Sequence, residues 1–161
     1  MVAIVPVPAS PHDPLLEQAR ELFRAYRAFL EETRSCGTHI PKLEQEIAEL
    51  PLPYAGDGGD VLVALVDDKP AACVAYRAVV DDASTCEIKR LFVRPGFRGL
   101  GLARQLVVTA IEQAKARGYM RAILDTDANT MPAALALYLS LGFREYTSPQ
   151  GNLSFLALTL S

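Results

Sequence analysis

"RPGFRGLGLARQL", residues 94–106, decides how this chain is read. Gly96, Gly99 and Gly101 crowd into it, with Arg98 among them. Just upstream, "TCEIKRLFV" (85–93) reads as a strand. Just downstream, Ala103, Leu106, Val107, Ala110, Ile111 and Ala114 recur at helical spacing, which predicts a helix from Leu102. A strand therefore gives way to a helix through more glycine than a tight turn needs. The first turn of a helix leaves about four backbone N–H groups without intrahelical partners, and the helix dipole makes that end favour anions. Glycine admits a phosphate close to the backbone, and an arginine adds a charge-assisted contact. Spacing alone leaves two readings open, a phosphate cradle and a plain tight turn.

Two common phosphate motifs are excluded. No Gly-Lys-Ser/Thr ending follows, so this is not a P-loop. Gly99-x-Gly101 meets Arg104 where the dinucleotide fingerprint wants its last glycine. Asp125 stands about 20 positions on, as that fingerprint asks, but the upstream strands oppose it. "DVLVALV" (60–66) and "PAACVAYRAV" (70–79) are joined by the hairpin signal "DDKP", and "DDAS" turns again into 85–93. Those three strands predict an antiparallel meander rather than a doubly wound parallel sheet.

Further out, residues 2–7 read as a short strand. "SPHDP" supplies helix-capping residues ahead of "LLEQARELFRAYRAFLEET" (15–33), whose Leu15, Leu16, Ala19, Leu22, Phe23, Tyr26, Phe29 and Leu30 form an apolar stripe. "CGTHIPK" (36–42) interrupts it, "LEQEIAEL" (43–50) predicts a shorter helix, and "PLPYAGDGGD" (51–60) reads as a loop. After the glycine segment, Gly118 falls where a helix C-cap belongs. "MRAILDT" (120–126) is a strand, "MPAALALYLSL" (131–141) a helix ended by Gly142, and "FREYT" and "LSFLALTL" are closing strands. The predicted order is β-α-α-β-β-β-α-β-α-β-β, a mixed α/β domain over residues 1–161.

Half of the 161 residues are hydrophobic and the formal net charge is −3. That suits one globular core and lacks the basic footprint of a nucleic-acid binder. The three cysteines, Cys36, Cys73 and Cys86, have no metal-ligand spacing and read as reduced thiols of a cytoplasmic protein. His12 and His39 form no metal pattern either. No apolar run approaches a membrane span, and the first residues lack the basic start of a signal peptide.

"EIKRLFVRPGFRGLGLARQL" (87–106) resembles the central motif of the GCN5-related N-acetyltransferase (GNAT) superfamily, [QR]-x-x-G-x-[GA], met here by Arg98, Gly99, Leu100, Gly101, Leu102 and Ala103. "MPAALALYLSLGFRE" (131–145) resembles its later A-x-x-L-Y…G-F motif, and the order of elements matches over nearly the whole chain. The resemblance implies a mixed, mostly antiparallel central sheet flanked by helices, acetyl-CoA as co-substrate, and direct acetyl transfer to an amine. It implies that the backbone of Arg98 to Ala103 holds the coenzyme A pyrophosphate. Leu91, Phe92 and Val93, on a strand splayed from its neighbour, would pair with the pantetheine arm. It implies Tyr138 as the acid that protonates the leaving thiolate and Glu87 as the base, acting directly or through a water. A core aromatic is the plainer role for Tyr138, and an ion-pair partner of Lys89 or Arg90 the plainer one for Glu87. Strand alternation puts Glu87, Lys89, Leu91 and Val93 on one face unless a bulge intervenes.

The sequence departs from the family at Met131, where many members have an asparagine against the pantetheine arm. Asn129 is the candidate substitute. The acceptor site is expected among Tyr26, Glu31, His39, Tyr54, Asp57 and Tyr146. Asp125 and Asp127 stand where they could orient an amine or cap a helix. The expected acceptor is a small or amino-acid-like amine. An N-terminal peptide acetyltransferase and a non-catalytic acyl-CoA-binding module are the alternatives. An edge strand near the C-terminus offers a route to a homodimer.

Overall fold

The two aspartates of "DDKP" set the first hairpin. In the computed structural model, which describes residues 1–33, 39–55 and 58–161 and leaves aside the side chains of 39–41, Asp67 and Asp68 have φ of 49° and 67°. Both central residues of this two-residue turn are thus left-handed, which matches the twist of the strands it joins. Those strands are β2 (Asp60–Val66) and β3 (Lys69–Val79). A second turn leads into β4 (Asp82–Val93), and β1 (Val2–Pro6) pairs antiparallel with β2. With β5 (Arg121–Asp127), β6 (Arg144–Glu145) and β7 (Leu153–Thr159) they form one seven-stranded sheet, in the order β1-β2-β3-β4-β5-β7-β6. Every pairing is antiparallel except β4 with β5. The C-terminal edge is β6, two residues long.

Helices cover both faces. On one lie α1 (Pro14–Glu32) and α2 (His39–Glu49), followed by the short α3 (Leu52–Ala55). Asp13 caps α1 by accepting the Leu15 N–H at 2.9 Å, with Pro14 in the first turn, where its missing N–H costs nothing. Leu16, Leu22, Phe23, Leu43 and Tyr54 pack there against Val61, Val63, Cys73 and Phe92 of the sheet. On the other face α4 (Leu102–Ala116) and α5 (Pro132–Ser140) enclose Leu106, Val107, Ala110, Tyr138 and Phe143 with Leu62, Val74, Ile88 and Leu124.

Two elements differ from expectation. α2 begins at His39, ahead of the predicted Leu43, because Pro41 falls in its first turn, where proline is tolerated. Within the expected loop 51–60, Leu52–Ala55 form a helical turn that drives Tyr54 into the core.

Candidate active site

The site starts where β4 leaves β5. The two strands pair only through Thr85–Arg121, Cys86–Ala122 and Glu87–Ile123, although β4 runs on to Val93. Beyond Glu87, β4 is bonded to β3 alone. The Arg94 N–H donates to the Ala71 carbonyl at 2.9 Å, so backbone alternation turns Val93 and Leu91 toward the unpaired edge. A row of main-chain donors and acceptors therefore faces the gap.

A 3-10 turn (Pro95–Phe97) leads from this strand to α4, and the Arg98 Nε donates to the Val93 carbonyl at 3.1 Å. Gly99 and Gly101 have φ of +83° and +75°, and a Cβ built on either meets nothing within 4 Å. Packing does not demand these glycines. The left-handed backbone does, and it leaves open space at the start of α4. Gly101 is the N-cap, no side chain caps the helix, and its first turn carries no acidic residue. That first turn, whose N–H groups have no intrahelical partners, lines a cleft of about 400 Å³. Leu91, Phe92 and Val93 form one wall, Phe97, Arg98, Gly99, Gly101, Leu102 and Ala103 one end, and Met131, Pro132, Ala134 and Leu137 of the α5 region the opposite side. A mostly apolar trench with amides along one side and an anion-favouring helix end fits a long ligand with a phosphate head.

At its inner end the cleft meets a second cavity of about 50 Å³. Leu91, Met131 and Ala134 line both. Tyr26, Lys89, Arg90, Asp125 and Tyr138 give the smaller one its polar wall. Tyr138 is 5% exposed. Burial, reinforced by Tyr26 and Asp125, raises its pKa well above the ordinary phenol value, so its hydroxyl keeps its proton at neutral pH. Burial likewise pushes Tyr26 up to about 12, against the opposing charge of Arg90.

Arg90 corrects the expected facing of β4. Its φ is +64°, and the β3–β4 register shifts between Ala75–Lys89 and Cys73–Phe92. This bulge reverses the alternation. Ile88 and Leu91 both pack on the α4 side and Phe92 on the α1 side. Glu87 and Lys89 therefore face α1 and α2, opposite to Leu91 and Val93. The Arg90 guanidinium, 5% exposed, donates from Nε and one terminal nitrogen to the two oxygens of Glu46 at 2.9 and 2.8 Å, and the Tyr54 hydroxyl donates to Glu46 at 2.7 Å. Burial alone would raise Glu46, but Arg90 outweighs it and the carboxyl is held below its ordinary value. Lys89 lies 4.0 Å from Glu46, its pKa lowered by burial and by Arg90. Among the described residues Glu87 has no ion pair, so the ion-pair role weighed for it is filled by Glu46 instead.

Other candidates scatter. Leu100 is 52% exposed and, like Asn129, lines neither cavity; at the departure from the family, Met131 faces the cleft itself. Asp127 accepts the N–H groups of Asn129 and Thr130 at 3.0 and 3.2 Å, which closes the turn after β5 rather than capping a helix: the N-cap of α5 is Met131, and no side chain caps it. Tyr26 reaches the small cavity, whereas Tyr54 is committed to Glu46, Glu31 pairs with Arg27 at 3.3 Å, and Tyr146 lies under Arg121. Asp57, Cys36 and the His39 side chain lie outside the described residues. Burial raises Cys73 to about 12 and Cys86 to about 11, and both are free, inert thiols. Among the described residues no His, Cys, Asp and Glu cluster suits a metal, and no helix is long and apolar enough to cross a membrane. Sequence reasoning missed Phe29, which lines the cleft from α1 with Arg98 5.6 Å above its ring, and the convergence of Lys89 and Arg90 on one cavity. An apolar-stripe position and a bulge carry no signal of their own.

Comparison with known proteins gives this geometry its kin. The family model for the acetyltransferase (GNAT) family matches residues 16–143. An N-acetyltransferase of Schizosaccharomyces pombe is 35% identical over 124 residues, 74% of this chain and 75% of its own. Human N-acetylaspartate synthetase is 35% identical over 122 residues, 75% of this chain but 37% of its own. The [ribosomal protein bS18]-alanine N-acetyltransferase of Salmonella typhimurium is 38% identical over 81 residues, 50% of this chain and 52% of its own. The chain thus spans well under two thirds of the latter two. Among solved structures, a Salmonella typhimurium acetyltransferase with its cofactor acetyl-CoA superposes with a TM-score of 0.72 at 20% identity, covering 99% of this chain and 94% of the other. With a family model matched from α1 to the end of α5 and a relative covered over three quarters of its length, the chain belongs to the acetyltransferase (GNAT) family and is an acyltransferase enzyme.

Proposed function

We propose that this chain, acting as one domain over residues 1–161, transfers the acetyl group of acetyl-CoA directly to the amine of a small or amino-acid-like acceptor. The observation that carries the proposal is the continuous path from the glycine turn at α4, along the unpaired edge of β4, to Tyr138. In this reading the N–H groups of Arg98 to Ala103 hold the pyrophosphate, and the edge of Leu91 to Val93 pairs with the pantetheine amides. The acetyl thioester then reaches the small cavity.

The acceptor arrives as an ammonium and leaves as an amide, so its nitrogen sheds two protons. One passes to Glu87 through a water and on to solvent. That frees the lone pair to form the C–N bond. As the C–S bond breaks, the buried Tyr138 hydroxyl supplies a proton to the departing sulfur. The second proton from nitrogen restores the phenol. No protein nucleophile takes part, consistent with the buried, inert cysteines. Those free thiols, with the formal net charge of −3, also support action in the cytoplasm without nucleic acid. The relatives include both a small-molecule and a protein N-acetyltransferase by name. The enclosed cavity around Tyr138 supports the small acceptor.

The test is thermal unfolding with acetyl-CoA, coenzyme A and NAD side by side. Ligand at a hundredfold excess over Kd adds about 2.7 kcal/mol, a shift of several degrees for a chain this size. We expect shifts with the two CoA compounds and none with NAD. Absence of any shift would withdraw the cradle and the reaction built on it.

A further inference from the structure

The small cavity is lined by a cation, Lys89, and a carboxylate, Asp125, that do not pair with each other. Lys89 lines it with 16% of its side chain exposed. Its nearest carboxylate is Glu46 at 4.0 Å, and that carboxylate is already committed. Arg90 occupies both of its oxygens at 2.8 and 2.9 Å and Tyr54 adds a third bond at 2.7 Å. Two cations thus share this engaged anion, and of the neighbouring charges Glu87 offsets Lys89 without an ion pair while Arg77 opposes it, which leaves one positive charge in surplus. On the facing strand Asp125 lines the same cavity. Among the described residues it has no ion pair, and it does not reach Lys89. Lys89 is largely buried with only a shared carboxylate at 4.0 Å, Asp125 is exposed to solvent, and a charge of each sign thus borders the space proposed to receive the acceptor.

Resting on the N-acetyltransferase reading, we infer that the acceptor is an amino-carboxylate, an α-amino acid or a close analogue. Its carboxylate binds Lys89 and its ammonium lies beside Asp125. A zwitterion bridges the two charges and gives each a partner. A polyamine would bring its second cation against Lys89 and Arg90. A peptide N-terminus presents a neutral amide where the carboxylate should be and leaves Lys89 unmatched. Asp125 in this arrangement is a binding group for the amine, on the strand that pairs with β4 at Glu87.

The experiment offers the full chain acetyl-CoA with a mixture of free amino acids, with the matching amino-acid amides, and with spermidine, following release of coenzyme A. We expect kcat/KM for the acids to exceed that for the amides about tenfold or more, the worth of one charge-assisted contact. In Lys89→Met the acid preference should collapse through KM, with the Kd for acetyl-CoA unchanged, and Lys89→Arg should retain the preference. The inference is overturned if amides or spermidine react as well as the acids, or if Lys89→Met keeps the acid-over-amide ratio; direct acetyl transfer would survive either result. If acetyl-CoA binds and no acceptor reacts, the inference falls together with the small-acceptor reading, while the cofactor cleft stands. If acetyl-CoA does not bind, both proposals fall.

Discussion

Tyr138 is aimed by the end of its own helix. Gly142, at φ +102°, lets the chain fold back so that the Phe143 N–H donates to the Tyr138 carbonyl at 3.1 Å and the Gly142 N–H to that of Leu139 at 3.1 Å. In this helix ending the residue after the glycine packs on the one five positions earlier. Here the Phe143 and Tyr138 rings stand 5.7 Å apart, edge to face. The Y…GF pattern was therefore legible as a motif, and its physical content is the locking of one ring. Removing the hydroxyl keeps that packing and takes away only the proton. Tyr138→Phe is expected to lower kcat by about tenfold to a hundredfold and to leave the Kd for acetyl-CoA and the melting temperature near wild type. Steady-state kinetics beside calorimetric titration checks this, and unchanged kcat would make the ring purely structural. Glu87 was legible as a residue but not as to facing. A non-glycine residue at positive φ, such as Arg90, gives no warning in the sequence, and it inverts every side chain beyond it.

Among the elements, the junction of β4 and α4 was the most legible, because glycine periodicity, a helical stripe and a strand meet there. Gly101→Glu separates its two roles. The left-handed backbone strains a glutamate by about 1–2 kcal/mol, while its carboxylate at a helix N-terminus returns part of that. Its side chain fills the open space ahead of the first-turn N–H groups. Folding should survive with a loss of at most about 2 kcal/mol, and acetyl-CoA binding should vanish in a calorimetric titration. Undiminished binding would dismiss the pyrophosphate role. α2 was less legible. Pro41 looked like a break, yet in a first turn it is harmless, and the fate of such a proline depends on where the helix starts.

Across the whole molecule, the helices α1 and α2 are tied to the sheet by a buried ion pair as well as by apolar packing. Glu46 belongs to α2 and Arg90 to β4, so the pair joins the two layers behind the small cavity. The antiparallel meander was readable from patterning, but the division of the expected single core into two clusters, one on each face of the sheet, and a contact spanning forty-odd residues were not. Glu46→Gln leaves Arg90 buried without its counter-charge and should cost about 3–5 kcal/mol at neutral pH, read by urea unfolding. The pH dependence follows from the lowered pKa of Glu46. The folded carboxyl ionises below the ordinary 4.5, so its contribution is complete above that value and drains away as pH falls through the folded-state pKa. The gap between wild type and Glu46→Gln should therefore narrow on acidification; a constant gap would show that the charge is not what stabilises.

The bulge at Arg90 also divides one strand into two independent vocabularies. Before it, Glu87 and Lys89 face α1 and α2; after it, Leu91 and Val93 line the larger cleft. On the proposed function, substitution of the first pair would change what is acetylated, while the second pair and the glycine turn would go on holding acetyl-CoA. Divergence in taste without divergence in currency is then a property of a single residue's backbone angle.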